Sequence, residues 1–228
     1  MHRSLIPVFA LSLAVGCGSG DDSTDSGSDT DTGPTVSLEL TVGHFLFTDG
    51  IEGLETCVMN TDNCTVTDAG GLAVLAVAAD TDIGVTIEGE GYTPTLLPYR
   101  TTSDDLVVEI FLAPLETMEL MFSDMALDLS KGQVMITLNN GEGYTAIIES
   151  GEEVYYWNDL STAIDVDGTS TSASGRFSAL NVTADPVTVS LTGPGTCTPR
   201  DRYWSSGPNE AVVPTLPGFF SGVTMNCE

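Results

Sequence analysis

The stretch VSLELTV, Val36 to Val42, alternates apolar Val36, Leu38, Leu40 and Val42 with polar Ser37, Glu39 and Thr41. Side chains of a strand point alternately to opposite faces, so this period of two predicts a strand with one face in a core and the other in water. The period returns in Ile83, Val85 and Ile87, in Leu106, Val108, Ile110 and Leu112, in Val134, Ile136 and Leu138, in Val187, Val189 and Leu191, and in Val223 and Met225. Glycine, proline and aspartate divide these runs, which is the pattern of an all-β chain. The run ending at Leu138 leads into NNG and then YTAII, a hairpin signal, because Asn and Gly tolerate the positive φ of a tight turn.

One segment breaks the rhythm. Leu115, Met118, Phe122, Met125 and Leu129 fall at helical spacing, so LETMELMFSDMALDL is expected to hold a short helix at the join of two β units. A methionine stripe of this kind is more commonly buried packing than an adaptable binding face. Two units are also suggested by an internal match: TDAGGLAVLAVAADTDIGVTIEGEG from Thr67 and TSASGRFSALNVTADPVTVSLTGPG from Thr171 align with one residue slipped in and one out. Both show threonine, a small turn ending in glycine, a strand, an Ala-Asp pair, a second strand and Gly-x-Gly, which reads as duplication or as shared hairpin grammar.

The first copy resembles the carboxypeptidase regulatory-like domain, a transthyretin-like β-sandwich. The residues that carry the likeness are Thr67, Asp68 and Gly71 of the turn, the strand Val85 to Ile87, and the end at Gly91, Tyr92 and Pro94. The likeness covers about residues 35 to 114 and implies an accessory module, since in that family the domain is attached to enzymes, receptors and surface proteins. The second copy lacks the glycine-tyrosine-x-proline end.

Ahead of the strands, MHRSLIPVFALSLAV has a basic start in Arg3 and an apolar run from Leu5 to Val15. A membrane-spanning helix needs about 20 apolar residues, whereas a secretory signal needs only a short apolar middle and a small residue before the cut. The run Leu13, Ala14, Val15, Gly16, Cys17 resembles the bacterial lipobox. The resemblance implies a signal peptide over 1–16, and lipidation of Cys17 by a diacylglyceryl group of the palmitate type. It also implies an anchored, non-spanning protein, because two or three acyl chains hold stably where one does not. Gly18, rather than Asp, follows the cysteine and resembles the default export to the outer membrane, surface-exposed or facing the periplasm.

Residues 17–34, GSGDDSTDSGSDTDTGP after the cysteine, carry Asp21, Asp22, Asp25, Asp29 and Asp31 and offer nothing to a core. They are expected to form a disordered acidic tether spanning roughly 23 Å as a flexible coil. A solvated spacer is the better account of these aspartates than a Ca²⁺ site, since nothing fixes the ligand geometry.

Without Arg3, 5 basic residues against 33 acidic ones leave a net charge of −28. Nucleic acid and anionic lipid headgroups are therefore not expected as partners. Of the five cysteines, Cys17 set aside, four remain, an even number in an exported chain. Three pairings exist, and the one expected is Cys57 with Cys64 across the turn VMNTDN, and Cys197 with Cys227, where a bridge would keep the last strand from fraying. The spacing does not suit paired zinc knuckles, so no metal is expected there.

Catalytic signals are thin. His44 is the sole histidine after signal removal, no nucleophile elbow occurs, and carboxylate pairs are too many to single out. DVDGTSTSASGR from Asp165 begins like a Ca²⁺ loop but has Ser170 at position six and Arg176 at position twelve. No catalytic residue, cofactor or metal is assigned. Two aromatic groups are candidate ligand-binding surfaces: Tyr155 and Trp157 of VYYWND, and Tyr203 and Trp204 of DRYWSSGPNE, whose rings could stack on sugars or anchor a protein partner.

The expected molecule is a membrane-anchored lipoprotein with two tandem β-sandwich domains, transthyretin-like or Ig-like, at 35–114 and 115–228, acting as a non-enzymatic structural or binding module. A carbohydrate-binding or adhesion protein is the alternative, and a hydrolase using His44 the third.

Overall fold

The computed structural model describes residues 33–45, 47–200 and 203–228. The expected signal peptide, Cys17 and nearly all of the tether lie outside them. Among the described residues the chain is all-β apart from one short helix.

The strands of the first half are β1 (Thr35–His44), β2 (Phe47–Gly50), β3 (Glu55–Val58), β4 (Cys64–Val66), β5 (Leu72–Ala78), β6 (Asp82–Glu88), β7 (Thr95–Arg100) and β8 (Leu106–Leu112). Helix α1 (Leu115–Met121) follows. The second half holds β9 (Gly132–Asn139), β10 (Thr145–Ile148), β11 (Val154–Trp157), β12 (Ile164–Asp165), β13 (Arg176–Val182), β14 (Val187–Thr192), β15 (Cys197–Pro199), β16 (Glu210–Val213) and β17 (Phe220–Cys227).

The alternation of VSLELTV does what its period requires. Val36, Leu38, Leu40 and Val42 are buried, while Ser37, Glu39 and Thr41 are not. Strand β1 lies between β5, antiparallel with Leu38 opposite Leu75, and β8, parallel with Leu38 opposite Leu106. The β5–β1–β8 layer faces β3–β6–β7, and Leu38, Leu40, Leu75, Val85, Ile87 and Leu97 fill the space between.

The second half repeats this plan strand for strand. Strand β9 lies between antiparallel β13 and parallel β17, as β1 lies between β5 and β8. The facing layer is β10–β14–β16, as it is β3–β6–β7 in the first half. The internal sequence match is therefore carried by matching backbone. Buried Thr67 donates its hydroxyl to Ile51 O (2.7 Å) and accepts from Leu54 N (2.9 Å). Thr171, equally buried, donates to Gly141 O and accepts from Tyr144 N (2.8 Å). Four residues on from each threonine, Gly71 and Gly175 take φ of 78° and 64°, and their carbonyls accept from Val42 N and Leu138 N. A Cβ at either glycine would run into the carbonyl oxygen of that same Val42 or Leu138, so both the dihedral and the space demand glycine.

One sheet links the halves. The outer edge of β17 pairs in parallel with β7, Phe220 opposite Thr95 and Ser221 opposite Leu96, and Phe220 N donates to Pro94 O (2.9 Å). The two inner layers so join into a ten-stranded sheet, while the buried side chains stay in separate clusters, one from residues 36–112 and one from 134–227.

Two local expectations are corrected. The NNG turn does not close a hairpin, because β10 pairs with β14 and not with β9. The chain instead crosses between layers there, held by the Thr171 clamp on Gly141 and Tyr144. The helical stripe ends early: α1 stops at Met121 and Ala126 turns left-handed (φ 46°). Asn181 captures the segment beyond, accepting from Asp128 N (2.7 Å) and donating to Ala126 O (3.2 Å). What remains of the stripe packs, as Met118 and Phe122 sit with Trp157, Leu180 and Phe220 on the sheet face opposite the second sandwich.

Candidate binding cleft

The covering of that second face decides the fate of the aromatic candidates. On β11, Tyr156 joins the sandwich core and its neighbour Trp157 joins the α1 cluster, so consecutive residues are both buried. Trp157 is 2 % exposed, stands edge-on to Phe122, and donates Nε1–H to Ser178 Oγ (2.9 Å). It is a core residue with its polar handle satisfied and presents no face to a ligand, which corrects its place among the candidates.

Tyr155 is half-buried, and its hydroxyl donates to Glu153 Oε2 (3.0 Å). Burial, and then Glu153, push the phenol above its ordinary range. It lines a cleft of about 370 Å³ with Asp124, Glu153, Asp165 and Val166. The loop from Asp165 lies in this wall, and among the described residues no group of three or more His, Cys, Asp or Glu side chains could hold a metal ion.

Tyr203 and Trp204 lie elsewhere. They belong to the second half of the chain and reach back over the first. The Tyr203 ring stacks on Tyr99 of β7 (centroids 5.4 Å apart, 22° between planes), and Trp204 Nε1–H donates to Tyr99 O (2.9 Å). Trp204 O accepts from Val212 N of β16 (3.3 Å), which fixes the segment from the other side. The indole thus forms a wall of a cleft of about 310 Å³ floored by Val58, Val77 and Ile83 and rimmed by Asn60, Asn63 and Asp82.

The rim is held rigidly. The β3–β4 hairpin is closed by the Cys57–Cys64 disulfide, which joins directly opposed residues with Cα atoms 4.1 Å apart. Within its turn Thr61 Oγ1 donates to Val58 O (2.8 Å), Asn60 takes φ of 64°, and Met59 N donates to Gly84 O (2.8 Å). Asn63 Nδ2 donates to Ala76 O on the outer edge of β5 (2.6 Å), tying the turn to the opposite layer. Across the cleft Asp82 accepts Arg100 Nε (2.6 Å) and Nη2 (2.8 Å) in a two-pronged ion pair.

The sequence singled out Trp204 but missed Asn60, Asn63 and Asp82. Their signal was the disulfide-closed, amide-rich turn VMNTDN, read only for its cysteines. Cys197 and Cys227 pair as expected, as opposed residues of β15 and β17. His44, at the end of β1, stands edge-on to Tyr92 (centroids 6.0 Å).

Among the described residues no helix is long and apolar enough to cross a membrane. No protein-family model matches the chain. No curated protein matches it either. Among solved structures it is similar to a point mutant of the shaft pilin SpaA from Lactobacillus rhamnosus GG, at 9 % identity over 86 % of this chain and 98 % of that one, with a TM-score of 0.29. The Bacillus anthracis TIE protein shares 14 % identity over 85 % of this chain and 34 % of its own, TM-score 0.30. GBS52, the minor pilin of Streptococcus agalactiae, shares 12 % over 84 % and 95 %, TM-score 0.28.

Proposed function

We propose that this chain is a lipoprotein held to the outer membrane through Cys17, whose two sandwiches work as a non-enzymatic structural or binding module at the end of the acidic tether. The observation that carries the proposal is the cysteine arithmetic. Of five cysteines, four are joined in two disulfides, and the fifth is Cys17 in the lipobox-like run from Leu13. Paired cysteines suit an exported chain, and a fifth placed between an apolar leader and an acidic spacer suits an anchor. We further propose that residues 35–114 belong with the carboxypeptidase regulatory-like domains, on the strength of the Thr67 clamp and the glycine required at 71.

The test is detergent phase partition of the full chain expressed in a Gram-negative host. The native chain should enter the detergent phase with a blocked N-terminus, and Cys17→Ser should leave it in the aqueous phase. Detergent partition that survives this substitution would overturn the anchor.

A further inference from the structure

We infer that the cleft beneath Trp204 binds a neutral saccharide, a proposal that rests on the binding-module reading and gives that module a ligand class. The volume, about 310 Å³, lies at the lower end of the range for small-molecule sites, enough for one or two sugar rings.

Its chemistry has two parts. The floor of Val58, Val77 and Ile83 and the Trp204 indole are apolar and suit the carbon-bound hydrogens of a pyranose face. The rim is polar and planar. Asn60 brings an amide, Asn63 spends Nδ2 on Ala76 O and keeps Oδ1 as an acceptor, and Asp82 has acceptor capacity beyond its two bonds from Arg100. An apolar face beside amide and carboxylate groups matches a ring with one hydrophobic side and hydroxyls on its edge.

Charge selects among the ligands such a site could take. Asp82 is the sole charged residue among the described residues lining the cleft, and Arg100 already neutralises it. A cation would find no unpaired carboxylate there, and an anion would enter against a chain carrying −27. The site is also built before a ligand arrives. The Cys57–Cys64 bridge, the Asn63–Ala76 bond and the Trp204–Tyr99 bond fix three of its walls, so little ordering remains to oppose binding. Trp204 comes from the second half and the rest of the lining from the first, so the cleft is complete only in the whole molecule.

The experiment uses the full chain in a detergent without a sugar headgroup. Saturation-transfer NMR and calorimetry are run with malto-, cello- and N-acetylglucosamine oligosaccharides, and with choline and N-acetylneuraminic acid as charged probes. At least one neutral series should bind, and Trp204→Ala should weaken it by about tenfold or more. The emission of Trp157, then the sole tryptophan, reports whether that variant is folded. Ala76→Phe, at an exposed position on the cleft wall, should also block binding without touching the core.

The inference fails if no neutral saccharide binds below about 10 mM, if both variants bind as the native chain does, or if a charged probe is preferred. A chain that partitions into detergent yet binds no sugar sinks this inference alone. One that binds sugar but stays aqueous sinks the anchor alone.

Discussion

Thr67 and Thr171 each satisfy two backbone groups of a buried crossing with a single hydroxyl. Replacing either by Ala or Val orphans those groups, so each substitution should destabilise by about 2 to 3 kcal/mol in chemical denaturation, and the two effects should be similar. Thr56 is the opposite case. It is fully buried on β3, and its hydroxyl has no partner among the described residues. Thr56→Val should therefore be neutral or should stabilise by up to about 1 kcal/mol. Tyr99 gives a pH signature. Burial, and then Tyr203, hold its hydroxyl well above the ordinary phenol value of 10.0. The folded chain keeps a proton there that the unfolded chain releases, so this contribution is present below that pH and is lost as pH rises above it. The unfolding midpoint should fall more steeply above pH 10 in the native chain than in Tyr99→Phe.

At the scale of elements, strand period was legible wherever one face met a core and the other met water, as in β1. It failed where a second layer covers the sheet. A strand's period of two would set Tyr156 on one face and Tyr155 and Trp157 on the other, but α1 buries the far side of β11 and takes Trp157 with it. No local signal in VYYWND carries that information, because the covering residues lie some 35 positions upstream. The NNG turn failed for a related reason. Turn chemistry fixes a reversal of direction but not the layer into which the next strand goes. The disulfides were legible from spacing and compartment, and their loops differ. The Cys197–Cys227 bridge spans a separation of 30 residues and Cys57–Cys64 one of 7. Replacing the first pair by Ala should lower stability by roughly 3 to 4 kcal/mol, and replacing the second by less, on the chain-entropy account of cross-links. Thermal unfolding of the two double variants checks the order.

For the whole molecule, the internal match in sequence extends to strand order, to the paired threonine clamps and to the paired left-handed glycines. What no sequence pattern announced was the seam between the copies, where β17 adds to β7 and the Tyr203–Trp204 segment lies on Tyr99. Residues 35–114 and 115–228 each own a buried cluster and a disulfide, and expressing them apart tests whether each stands as a domain. Folded, oxidised halves unaffected by EDTA are expected, with the first losing the cleft wall that Trp204 supplies. The claim that the chain is an anchored module meets its most direct test in the intact mass of the protein extracted from membranes under denaturing, non-reducing conditions. The account predicts a chain that begins at Cys17, carries the added mass of a diacylglyceryl group on its sulfur and of an acyl group on its amine, and lacks four hydrogens for its two disulfides. A chain with an unmodified Cys17 thiol, or one cleaved at another residue, would contradict it.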